Sequence, residues 1–92
     1  MRRRHHFHID HAGHSVSATV RMGHGGAVEV LVDGKETGYA KLSGDRPVAV
    51  TVELPTDPPS QAVVHASPGP GEPHCALEVA GAEPKPMSPR SY

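Results

Sequence analysis

The chain has 92 residues, with nine Lys and Arg against ten Asp and Glu, for a formal net charge of −1. That length limits it to one domain with a modest core. The charge balance argues against a nucleic-acid partner, and the single Cys excludes an internal disulfide. The apolar stock is eleven Val and ten Ala against four Leu, one Ile, one Phe and no Trp. Val favours strands, because its branched Cβ is already stiff and packs well on a pleated surface.

Three Arg open the chain, Arg2 to Arg4, and five His fall within the first fourteen residues. Residues 1–4 read as a flexible basic arm. No apolar stretch follows the arginines as a secretory signal requires. No run approaches the ~18 apolar residues of a transmembrane helix. The expected location is the cytoplasm, without a membrane span.

Residues 5–11 (HHFHIDH) read as a strand with Phe7 and Ile9 inward and His6, His8 and Asp10 outward. Ala12-Gly13-His14 is a short turn. Residues 15–22 (SVSATVRM) alternate cleanly, with Val16, Ala18, Val20 and Met22 on the core side. Gly23-His24-Gly25-Gly26 is a second turn. Its glycines supply positive φ, and with no Lys-Ser/Thr after it, it does not read as a phosphate loop.

Residues 27–42 carry the strongest local signal. Val28, Val30 and Val32 share one face of a strand, and Asp33-Gly34 is a hairpin turn between two β runs. Tyr39 and Leu42 are expected to pack on the return strand. Leu31 interrupts the pattern, placing a large apolar group on the polar face. Leu31 beside Tyr39 is the candidate interaction site, for a protein partner or a homodimer.

Residues 48–54 (VAVTVEL) form the most regular strand, with Val48, Val50, Val52 and Leu54 inward. The Pro-rich stretch at 55–60 is a loop, because Pro cannot donate to a ladder. Residues 61–66 form a short strand and 67–73 a Pro/Gly loop. Residues 74–80 close the fold with Cys75, Leu77 and Val79 inward. Residues 81–92 turn to Pro, Ser and charge and read as a disordered tail.

No ten-residue window combines a 3.6 period with freedom from Gly and Pro, so no helix is expected. About seven strands within residues 5–80 predict an all-β domain, a small antiparallel β-sandwich of immunoglobulin-like architecture. A small β-barrel is the runner-up.

Chemistry concentrates in the histidines. On a strand, side chains two residues apart stand ~6.5–7 Å from each other. His6 and His8, with Asp10 as a ligand or outer partner, are therefore the candidate metal site, for Zn or another transition metal such as Cu or Ni. His5, His11, His14, His24, His65 and His74 are the pool for a further ligand. The bland alternative is a solvated surface. Cys75 and His74 are neighbours in a strand and point apart, so they do not form a nucleophile–base pair. Glu29, Glu53 and Glu78 fall on water-facing positions. No catalytic constellation emerges, and the chain is not expected to be an enzyme or to need a cofactor. The sequence reading is a non-catalytic binding module, with metal binding through the first strand as the alternative.

Overall fold

The computed structural model describes residues 3–23 and 25–90. Among these described residues nine strands run β1 Arg3–His11, β2 His14–Met22, β3 Ala27–Val32, β4 Lys35–Lys41, β5 Val48–Leu54, β6 Ser60–Ser67, β7 His74–Val79, β8 Lys85–Pro86 and β9 Ser88–Arg90. They build a five-stranded sheet in the order β4-β3-β2-β1-β9 and a four-stranded sheet in the order β5-β6-β7-β8. All pairings are antiparallel. The two sheets face each other as a small β-sandwich and do not close into a barrel.

Period-two patterning explains the core. Val16, Ala18 and Val20 from β2 meet Val28, Val30 and Val32 from β3, and all are buried. Val50, Val52 and Leu54 of β5, Ala62, Val64 and Ala66 of β6, and Cys75 and Leu77 of β7 supply the facing layer. Phe7 is the aromatic residue of this core, 3 % exposed. Alternation alone places all of these inward except Ala62, Val64 and Ala66, whose strand was read without a facing.

The turns follow from backbone chemistry. The β1–β2 and β3–β4 hairpins each use two residues, both at positive φ: Ala12 at 51° with Gly13 at 80°, and Asp33 at 52° with Gly34 at 83°. This matches the turn geometry whose twist suits a tight hairpin. Gly38 on β4 serves a different need. A Cβ there would stand 2.5 Å from Val50 Cγ1 and 2.9 Å from Val52 Cγ1. A glycine therefore lets β4 lie close against β5 of the opposite sheet.

Within the sandwich, β1 to β4 and β5 to β8 are two successive meanders. Alternation identifies strands but leaves their order open. Three expectations are corrected. The C-terminal residues 81–90 are not a disordered tail. Lys85–Pro86 pairs with β7, Ser88–Arg90 pairs with β1, and Met87 between them is buried at 4 % exposure. The Met87 N–H donates to the Cys75 carbonyl at 2.9 Å. This segment crosses from one sheet to the other, and one apolar side chain anchors it. Ser91 and Tyr92 lie outside the described residues. The basic arm is shorter than expected, because Arg4 and the backbone of Arg3 already pair with β2. Met1 and Arg2 lie outside the described residues. Tyr39, finally, does not pack inward. It stands opposite Glu29, on the outer face, while Gly38 and Ala40 take the inward positions of β4. Leu42 does pack against the core.

Candidate functional site

The outer face of the five-stranded sheet gathers most of the sequence-level candidates. Strand register sets them in two rows. One runs Arg90, His6, Thr19, Glu29, Tyr39, and the other Ser88, His8, Ser17, Leu31, Glu36. Tyr39 lies on the edge strand β4 and is 52 % exposed, the exposed large hydrophobic among the described residues. Leu31 lies one strand inward and is half-buried. The ladder slips between Val30 and Leu31, so that Thr37 becomes an extra residue on β4. The Thr37 hydroxyl donates to the Val30 carbonyl at 3.4 Å. The slip keeps Leu31 beside Glu36 and leaves Tyr39 beside Glu29.

His6, His8 and Asp10 share this face as expected, yet their ring atoms are turned to protein partners. His6 Nδ1 lies 3.1 Å from Thr19 Oγ1. His8 is held on both sides. The Arg90 guanidinium donates from Nη2 to His8 Nδ1 at 2.9 Å. A guanidinium only donates, so Nδ1 is the acceptor and the neutral ring carries its proton on Nε2. That N–H donates to Ser15 Oγ at 2.9 Å, with Asp10 Oδ1 at 3.3 Å from the same nitrogen. A metal at Nδ1 would have to displace a cation, and a metal at Nε2 would have to displace a proton. Among the described residues no three His, Cys, Asp or Glu side chains are placed to hold a metal ion. His24, one of the further candidate ligands, lies outside the described residues.

Other candidate ligands pair locally. His14 Nδ1 stands 2.7 Å from Asp33 Oδ2, between two hairpin turns. His65 Nε2 stands 2.9 Å from Glu78 Oε1 on the four-stranded sheet. Asp33 titrates below its ordinary 3.8, first because it accepts the Ser15 backbone N–H and second because of His14. Cys75 is 2 % exposed, and burial pushes its thiol up to about 12. A thiol held neutral in this way is a poor nucleophile. Glu29 is engaged by Arg21, Nη2 to Oε1 at 3.2 Å. It sits on a different sheet from Glu53, so the two do not form an acid pair.

Arg90 and Thr19 were missed as partners of the histidines. They lie 82 and 13 residues away in sequence and become neighbours only through register. No helix of the described residues is long and apolar enough to cross a membrane. No family model, no curated protein and no solved structure matches this chain.

Proposed function

We propose that the chain is a non-catalytic β-sandwich module that binds a protein partner along β4, with Tyr39 as the anchor and Leu31 as its apolar neighbour. The observation that carries this reading is Tyr39, 52 % exposed on an edge strand. Tyr combines a large apolar ring with a polar tip and is enriched where proteins meet. An edge strand presents unpaired backbone groups that a partner strand can take up. The histidines of the same sheet support a structural part, since His6 and His8 are hydrogen-bonded to Thr19, Ser15 and Arg90.

The test is selection of peptides from a random library on the immobilised protein, with counter-selection on Tyr39→Ser. Selected peptides are expected to perturb the amides of β3 and β4 and to bind the variant at least tenfold more weakly, as loss of an aromatic anchor implies. Equal binding to both proteins, or perturbations mapping to β6 and β7, defeats the reading. A second copy of the chain is the other occupant. It would appear in sedimentation as a dimer that Tyr39→Ser dissociates.

A further inference from the structure

We infer that the protein carries a binding site for a small phosphate monoester in the cavity between β1, β9 and the loop before β7. This site is separate from the Tyr39 edge. The cavity has a volume of about 580 Å³ and is lined by Arg4, His5, His6 and Arg90 together with Glu72. Phe7, Pro73 and Pro89 supply an apolar wall.

Charge is what singles the cavity out. The whole chain has a formal net charge of −1, yet two arginines, Arg4 and Arg90, line this one cavity. Arg4 stands directly opposite Arg21 across the β1–β2 ladder. Like charges opposite each other cost stability. Arg21 is offset by Glu29 at 3.2 Å. Neither Arg4 nor Arg90 lies within ion-pairing distance of a carboxylate among the described residues. Arg90 gives one Nη2 hydrogen bond to His8, which holds its guanidinium while leaving further donors. His5 is half-buried and has no hydrogen-bond partner among the described side chains.

The chemistry favours a phosphate. Two guanidiniums match a dianion with three acceptor oxygens better than a monoanionic carboxylate. The apolar wall suits a phosphate that bears an organic group. The Glu72 carboxylate, in the same lining, opposes the anion and limits its affinity.

The experiment titrates the full chain, followed by ¹H–¹⁵N spectra at pH 7.5 and low salt, with phenyl phosphate, inorganic phosphate and benzoate as probes. Vesicles containing phosphatidic acid form a separate arm that tests a lipid source for the same group. We expect one saturable site for phenyl phosphate, weaker binding of inorganic phosphate and benzoate, and shifts centred on Arg4, His5 and Arg90. Arg4→Gln should weaken phenyl phosphate about tenfold, the loss of one charge-assisted contact. Glu72→Gln should tighten it, a gain that an unfolded variant could not give. Lys35→Gln, at the opposite end of the sheet, should change nothing. The inference is overturned if Lys35→Gln weakens binding as much as Arg4→Gln, if Glu72→Gln has no effect, if benzoate binds equally well, or if only the vesicles bind.

Discussion

Asp33 and Ser15 hold each other through paired hydrogen bonds. The Asp33 N–H donates to the Ser15 carbonyl at 2.8 Å, and the Ser15 N–H donates back to Asp33 Oδ1 at 2.9 Å. The other carboxylate oxygen meets His14 at 2.7 Å. One side chain in the β3–β4 turn thereby secures the start of β2. The folded pKa of Asp33 is lowered from 3.8, so its stabilisation is present above that value. It disappears as pH falls through 3.8 toward the lower folded value. Asp33→Asn should melt at a lower temperature at pH 7 and show a flatter loss of stability as pH falls below 3.8. Melting curves for both proteins across that range check this. Parallel acid limbs would mean Asp33 is not the group responsible.

The two hairpin turns share a backbone and differ in side chain. Asp33 tolerates the left-handed region well, but Ala12 at φ 51° does not. Replacing Ala12 by Asn keeps the turn and removes most of that penalty. The expected gain is about 1 kcal/mol, which raises the melting temperature by roughly 4–8 °C in a chain of this size. Denaturant unfolding would measure it, and a loss of stability would contradict the turn assignment.

Gly38 tests how closely the sheets approach. A Cβ there meets Val50 Cγ1 at 2.5 Å, a separation that forces β4 or β5 to shift. Gly38→Ala should cost about 1–3 kcal/mol, the range for inserting a methyl into a filled site. If Gly38→Ala is neutral in chemical denaturation, the contact between β4 and β5 is looser than described.

Most of the core was legible because one face of each strand is buried. Burial of alternate residues fixes which positions are apolar, so Val16, Val30, Val50 and Leu77 announce themselves. The Asp33-Gly34 turn was legible for the same local reason. Strand order was not, since alternation is satisfied by a meander and by a Greek key alike. Tyr39 was misplaced because a single extra residue, Thr37, resets the facing of β4 and no periodicity signals it. The final strands were missed because Pro86 and Pro89 mask a segment that one buried side chain secures. As for the site, the shared face of His6, His8 and Asp10 was readable. The hydrogen bonds that occupy His6 and His8 were not, because they depend on which strand lies alongside.

Cys75 offers a probe of that final segment. Its thiol is raised from 9.0 to about 12 by burial, so the folded state favours the protonated form. The resulting stabilisation is complete below about pH 9 and fades as pH rises toward 12. At pH 8 iodoacetamide should label the native protein only as fast as the core opens. Met87→Ala, which removes the buried anchor beside Cys75, should accelerate labelling by an order of magnitude or more, as expected for a core truncation. Unchanged labelling would mean the segment does not shield the thiol.

Arg90 and His8 meet across 82 positions of chain, while β1 to β4 join through neighbouring hairpins. Closing so wide a loop costs more entropy than closing a hairpin. The hairpins can therefore assemble locally, whereas the pairing of β9 with β1 needs a contact across nearly the whole chain. Release of the segment from Lys85 to Arg90 would uncover the edges of β1 and β7 together. Amide protons of β9 should accordingly exchange well before those of β2, marking a hinge in time rather than in space.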